Sequence, residues 1–320
     1  MDNPHSDILR CKFCGNEKGN ELILAEEKQL GMGDKFEYFN CSNCHCIQIR
    51  KVPEDLGKYY PSNYYSYQDP VFPSRLNWFN SFLKKSLIKY YLGYPDLTGF
   101  LTSFVFDHPF PWLRKKEVKL NSRILDIGTG AGRKILSLQR SGFNNITGID
   151  PFLEKDIKTI GGLKILKREL NEIDEKYDFI MLHHSLEHMP DQEEAIKHLS
   201  GILNDDGRVL IRIPVANTFA WRKYRENWIG LDAPRHLYIH SVKSLGILTD
   251  MTDLEIEEVI FDSGTYQFTG SEKYLRKLPL STSDDIFSKE EMKRFEIDAL
   301  ELNRKSDGDQ ACFYLKKRTM

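Results

Sequence analysis

What the sequence has little of is the first guide to what it is not. No apolar run in its 320 residues approaches the roughly 18 needed to cross a bilayer, so nothing reads as a transmembrane helix. No sign of charge is in excess: 45 Lys and Arg stand against 47 Asp and Glu, a net of -2. A chain so balanced has no global attraction for nucleic acid or for an anionic membrane. The opening MDNPHSD is acidic and polar, unlike the basic and apolar start of a signal peptide, and a cytoplasmic location is the resulting expectation. Cysteine is missing from most of the chain. Only Cys312 lies outside the stretch from Cys11 to Cys46, and in a reducing compartment that clustering points to a metal site rather than to disulfides.

What is present begins with two C-x-x-C pairs, Cys11-Lys-Phe-Cys14 and Cys41-Ser-Asn-Cys44. Four thiolates at this spacing close a tetrahedron around zinc, each pair coming from one tight turn, with Gly15 suited to the first turn. Phe36–Asn40 and Cys46–Arg50 read as short strands, so residues 1–52 are expected to form a zinc-ribbon-like module. His45 and Cys46 adjoin Cys44 too closely to share the ion and read as bystanders. Four thiolates leave no open position on the metal, so the zinc is structural, and it supplies folding free energy to a segment too short to bury much core. Residues 53–120 read as a linker and helical cap. Val52–Tyr67 is rich in tyrosine and proline, and from Ser74 to Tyr91 the apolar residues Leu76, Phe79, Leu83, Leu87 and Tyr90 recur at helical spacing.

From residue 121 short apolar runs alternate with amphipathic stretches, the rhythm of an open α/β sheet. Strands are expected at Arg123–Ile127, Asn145–Asp150, Leu163–Lys167, Tyr177–His183, Arg208–Pro214, Leu254–Phe261 and Ala311–Lys317. Helices are expected after Gly132, over Asp191–Leu203 and over Lys289–Asn303, the last within a polar stretch, 262–310, that reads as an acceptor lid. The segment Ile124-Leu-Asp-Ile-Gly-Thr-Gly-Ala-Gly-Arg133 runs a buried strand into a glycine turn that opens a helix, which lets backbone approach a ligand closely. A nicotinamide fingerprint places its third glycine where Arg133 stands. A pyrophosphate gains nothing from Asp126 ahead of the turn, whereas a cofactor carrying an ammonium and a sulfonium is attracted to it.

These motifs resemble those of the class I S-adenosylmethionine-dependent methyltransferases, more narrowly the branch with an N-terminal zinc-binding module. The resemblance implies a Rossmann-like catalytic domain over residues 121–320 with S-adenosylmethionine as cofactor. In that family the D-x-G-x-G-x-G turn cradles the methionine part, here Asp126, Gly128, Thr129, Gly130 and Gly132. An acid ending the second strand holds the ribose hydroxyls, here Asp150, and a carboxylate accepts two such bonds at once. Tyr177-Asp-Phe-Ile-Met-Leu-His-His-Ser-Leu-Glu-His-Met-Pro190 matches the fourth strand and its Leu-Glu-His motif beside the transferring methyl group. This sets His183 among the cofactor contacts and His184 and His188 near the reaction, unless those two only pack or cap. The same letters spell His184-x-x-Glu187-His188, an inverted zinc-peptidase pattern, but that chemistry needs a regular helix and Pro190 leaves barely one turn. After Pro214 an aromatic-rich excursion carries Trp228 and Asp232-Ala-Pro-Arg235-His236. It resembles the segment whose histidine approaches the acceptor, with His236 as base or orienter and Trp228, Asp232 and Arg235 as substrate contacts; a loop histidine bonded to backbone is the plain alternative. The acceptor implied is a sugar, glycan precursor or other small metabolite. An RNA or protein acceptor recognised by the zinc module, and a noncatalytic binding protein, are the other readings.

Overall fold

The computed structural model describes residues 8–61, 78–113, 118–158 and 163–319. In chain order the strands are β1 (Glu21–Glu26), β2 (Lys35–Asn40), β3 (Ile47–Ile49), β4 (Ile124–Ile127), β5 (Ile146–Ile149), β6 (Ile157–Lys158), β7 (Lys164–Leu166), β8 (Tyr177–His183), β9 (Leu203–Pro214), β10 (Tyr238–Ile239), β11 (Leu254–Phe261) and β12 (Gln310–Lys317). The helices are α1 (Trp78–Tyr91), α2 (Leu97–Thr102), α3 (Arg133–Arg140), α4 (Gln192–Ile202), α5 (Phe219–Tyr224), α6 (Val242–Asp250), α7 (Tyr266–Leu275) and α8 (Lys289–Arg304). The first residues of the helix expected from Ser74, and those of the linker beyond Pro61, lie outside the described residues. Among the described residues no helix is long and apolar enough to cross a membrane.

The chain divides into two compact units. One comprises Met1–Pro61, His184–Glu193 and Arg212–Phe313; the other comprises Ser62–His183, Glu194–Ile211 and Tyr314–Met320.

The second unit is the parallel α/β layer. Its strands run in the order β9-β8-β4-β5-β7-β6, with β4 parallel to both β5 and β8, β5 parallel to β7, and β6 antiparallel to β7 at the edge. All four residues of β4 are buried, and β8 is buried at every position but one. Apolar runs without alternation are what strands covered on both faces require. Here α3 buries Ile135 and Leu138, and α4 carries Ile196 and Leu199, also fully buried.

The first unit is built on a four-stranded sheet, β1-β2-β3-β10. Its pairs are antiparallel: Tyr38 faces Ile49 across β2 and β3, and Tyr238 faces Gln48 across β10 and β3. The ribbon strands do not form a core of their own. Ile23, Tyr38, Ile47 and Ile49 pack in one cluster with Trp221, Tyr224, Trp228, Leu231 and Phe268. Sharing that core answers the difficulty that a module of this size buries too little apolar surface alone.

Candidate functional site

In the second unit the chain leaves β4 with Asp126 buried behind it and turns through Gly128, Gly130 and Gly132 at φ of 72°, 53° and 79°. The backbone N–H groups of Gly128 and Thr129 donate to the Ile149 carbonyl at 2.9 and 3.1 Å, which ties the turn to β5. Gly132 admits no side chain: a Cβ there meets Ile165 Cδ1 at 2.2 Å, in a conformation L-residues avoid. Gly148 in β5 is equally constrained, since a Cβ meets Ile135 and Thr129 at under 3 Å (2.6 and 2.8 Å).

Two carboxylates frame this turn. Thr129 Oγ1 donates to Asp126 Oδ2 at 2.8 Å, and the Gly130 N–H donates to Asp150 Oδ2 at 2.9 Å. Phe152 N–H donates to Asp150 Oδ1 at 3.0 Å. A carboxylate oxygen can accept more than one hydrogen bond, a capacity suited to a diol. Burial pushes the Asp126 carboxyl up to about 6, against the pull of Lys134 and the Thr129 hydroxyl. A buried acid so destabilised in its charged form gains from a cationic neighbour. Two carboxylates of this kind fit the chemistry of S-adenosylmethionine, which carries a positive charge and a ribose diol. His183 ends β8 in the same unit with its ring edge-on to Trp112, centroids 4.6 Å apart. The structure thus gathers Asp126, Gly128, Thr129, Gly130, Gly132 and Asp150 in one turn.

The first unit holds two clusters. In the ribbon, the thiols of Cys11, Cys14, Cys41 and Cys44 all lie within 4.8 Å of one another. Cys11–Cys44 and Cys14–Cys41 Sγ separations are both 3.5 Å. Sulfurs bound about 2.3 Å from zinc at tetrahedral corners stand about 3.8 Å apart, so the set fits that ion. The two turns are built alike. Gly15 N–H donates to the Cys11 carbonyl and His45 N–H to the Cys41 carbonyl, and Gly15 and His45 both take positive φ, 68° and 60°. His45 therefore serves its turn as backbone. Cys46 is fully buried, which drives its thiol well up. The hydrogen bond between Cys44 and Cys11 draws the Cys11 thiol down and pushes the Cys44 thiol up, and burial pushes the Cys14 thiol up.

The second cluster centres on Glu187, only 1% exposed, on a single turn spanning Leu186–His188. His184 precedes it at φ 54°, its N–H held by the Arg212 carbonyl at 2.9 Å. His184 Nδ1 lies 3.3 Å from Glu187 Oε1, and His236 Nε2 lies 3.9 Å from the same oxygen. The rings of His188 and His236 meet edge-on with centroids 4.8 Å apart. Burial raises the Glu187 carboxyl, but His184 and the charges of His188 and His236 outweigh it and hold it at about 2. His236 is pushed down to about 4, by burial first and then by His188. It is neutral at physiological pH.

The structure brings His184, His188 and His236 together and places the expected substrate contacts elsewhere. Arg235 is fully buried, its guanidinium against Glu27 at 2.9 Å and against both oxygens of Asp232. Trp228 is buried too, its indole N–H donating to Asp309 at 2.9 Å. Arg235 and Trp228 thus turn inward, and Asp232 is committed to Arg235. Three residues that the sequence did not single out for this cluster belong to it: Glu187 at its centre, Arg212 beside His184 Nε2 at 3.2 Å, and Tyr60, whose hydroxyl lies 3.1 Å from His188 Nδ1. The His-x-x-Glu-His spelling was the available signal for Glu187.

Comparison with known proteins bears on the second unit above all. Residues 107–259 match the family model described as a methyltransferase domain. The chain is 49% identical over 39 residues to EEF1A lysine methyltransferase 2 of Homo sapiens, a stretch covering 12% of this chain and 16% of that protein. The chain therefore spans about a sixth of the length of the curated relatives it matches. Among solved structures it resembles a SAM-dependent methyltransferase from Archaeoglobus fulgidus, with 21% identity, TM-score 0.38, and coverage of 62% of this chain and 86% of that one. It also resembles a putative sarcosine dimethylglycine methyltransferase from Galdieria sulphuraria, with 17% identity, TM-score 0.40, and coverage of 62% and 80%.

Proposed function

We propose that this chain, whose residues 107–259 match a methyltransferase domain, is a class I S-adenosylmethionine-dependent enzyme that methylates a hydroxyl of a small polar acceptor such as a sugar or glycan precursor. The observation that carries the reading is the glycine turn with Asp126 buried at its root and Asp150 closing its rim. Bound there, the cofactor supplies an activated methyl group, and the protein's work is chiefly to align donor and acceptor. Asp126 offsets the cofactor's positive charge and Asp150 accepts from its ribose. Of the three histidines around Glu187, His184 is the one suited to taking a proton, since an imidazole backed by a carboxylate is a competent base. His184 is the most open of them, at 38% side-chain exposure. A hydroxyl acceptor needs such a base, which is what favours oxygen as the atom methylated.

The four-thiolate ribbon holds structural zinc and takes no part in transfer. A protein acceptor is the second reading, and the 39-residue likeness to the lysine methyltransferases is what favours it.

Calorimetry with S-adenosylmethionine and with its demethylated product tests the first step, with Asp150→Ala expected to lose binding. Absence of binding to the wild-type chain would sink the enzyme reading. Incubating the protein and radiolabelled cofactor with fractionated cell extract separates the acceptors. Label in the small-molecule fraction supports the proposal, label in polypeptide supports the second reading, and salt-sensitive label in RNA overturns both.

A further inference from the structure

The Glu187 cluster poses a problem in hydrogen bonding that the methyltransferase reading leaves unsolved. Neither carboxylate oxygen of Glu187 has a hydrogen-bond partner, although both are buried. His236 Nδ1 lies 2.9 Å from the Gly230 carbonyl, and His188 Nδ1 lies 2.9 Å from the Arg235 carbonyl. A carbonyl only accepts, so in each ring Nδ1 carries the proton and a neutral ring presents Nε2 as a lone pair. Ligand atoms of Glu187, His188 and His236 all lie within 4.8 Å of one another. One carboxylate and two imidazoles thus converge on one small space, and none of the three donates to another. Left alone, the set gives the buried carboxylate no hydrogen-bond donor of its own, the nearest nitrogen outside it being His184 Nδ1 at 3.3 Å.

We propose that Glu187, His188 and His236 form a second metal site, binding a divalent first-row transition ion through one carboxylate and two imidazoles. An ion at the centre converts these three groups into ligands. The carbonyl-anchored Nδ1–H groups are the arrangement that fixes ring orientation and raises basicity in metal-bound histidines. Nitrogen and oxygen ligands about 2.0–2.2 Å from a tetrahedral ion stand about 3.4 Å apart. Glu187 Oε1 and His236 Nε2, at 3.9 Å, need close by only a few tenths of an ångström. The supporting frame is already in place: Tyr38 donates to the His236 carbonyl at 2.8 Å, and Leu237 N–H donates to the Glu187 carbonyl at 2.8 Å.

Three protein ligands leave a coordination position open, unlike the closed four-thiolate site in the ribbon. A bound ion would lower the proton affinity of a water or hydroxyl held in that position. This gives His188 and His236 a task distinct from that of His184, whose Nε2 is engaged by Arg212. Asp232 stands 3.9 Å from His236 Nε2, but its oxygens are committed to Arg235 and it is not a ligand.

Metal binding is read without turnover, so the outcome does not depend on methyl transfer. The full-length protein is dialysed against a chelator until metal analysis shows only the zinc of the ribbon, then titrated with cobalt(II). The expected result is one further equivalent bound, with visible d–d bands and no added thiolate-to-cobalt charge transfer. Glu187→Gln and His236→Gln, checked for folding by retained ribbon zinc, should weaken cobalt binding at least tenfold, whereas His184→Gln should leave it unchanged. Should those variants fail to fold, the cobalt-loaded wild type decides alone: two strongly shifted exchangeable proton resonances, from Nδ1–H of His188 and His236, are expected. No second equivalent of cobalt overturns the proposal and leaves a shared proton as what occupies the cluster. Uptake that Glu187→Gln does not weaken, or a spectrum of thiolate character only, overturns it as well.

Discussion

Asp126 and Glu187 are both nearly sealed from solvent, at 2% and 1% exposed, yet they finish on opposite sides of the ordinary carboxyl range. At Asp126 burial is the largest influence and prevails over Lys134 and the Thr129 hydroxyl, leaving the group at about 6. At Glu187 burial is again the largest single influence, but His184, His188 and His236 together overcome it and leave the group at about 2. The difference lies not in depth but in what faces the acid. One hydroxyl meets Asp126; imidazoles ring Glu187. Depth alone therefore does not set a buried acid's hold on its proton, and the neighbouring groups do.

Arg235 carries the contrast furthest and gives the largest expected effect. It neutralises Asp232 and Glu27 inside the first unit with no exposure of its own side chain. Arg235→Met should cost about 3–5 kcal/mol of stability, because it leaves buried acids without their partner. Urea unfolding followed by fluorescence measures this. A loss below about 1 kcal/mol would show the pair to be solvated in solution and would return Arg235 to the substrate contact expected of it from sequence.

The glycine turn should break in a different way. Gly132→Ala combines left-handed strain with displacement of the Ile165 side chain, together about 2–4 kcal/mol. On the proposed reading of the turn as the cofactor's cradle, affinity for S-adenosylhomocysteine should fall more than stability does, which calorimetry and thermal unfolding on one preparation would compare. Equal losses in both would mean that the turn is only structural.

These two regions were not equally legible. The glycine turn could be read because its constraint is local: positive φ at fixed spacing, directly after an apolar strand. β8 and β11 likewise emerge with the expected bounds, Tyr177–His183 and Leu254–Phe261. The interior of the first unit is non-local. Glu27 lies 208 positions before Arg235, and nothing near Arg235 in the sequence announces it, so a charge in an aromatic loop read as a substrate contact. β1 escaped notice because Leu22 and Leu24 are apolar on its exposed face, while Ile23 and Ala25 fill the buried one, erasing the alternation that marks a strand. α7 escaped for the opposite reason. It buries Gln267, Thr269, Ser271 and Lys273 beside Phe268 and Tyr274, so it has no apolar stripe.

Asp126→Asn is the finest test of the comparison. The folded protein holds the Asp126 proton more tightly than an exposed carboxyl does, at about 6 against 3.8. Its contribution to stability is therefore present below pH 3.8 and lost as pH rises through 6. Asparagine still accepts from Thr129 but never carries the charge. At pH 8 the variant should accordingly be more stable than the wild type, by about 1–2 kcal/mol after relaxation around the buried group, with the gap closing toward pH 4. Cofactor binding should move the other way. Wild-type affinity for S-adenosylmethionine should rise as pH passes through 6 and the acid ionises, while the variant binds about tenfold more weakly at pH 8, roughly 1.4 kcal/mol. The sulfonium charge is absent from S-adenosylhomocysteine, so the difference between the two ligands isolates the attraction to Asp126. A variant that gains stability without losing that difference would mean that the acid at the root of the turn is faced by something other than the cofactor's positive end.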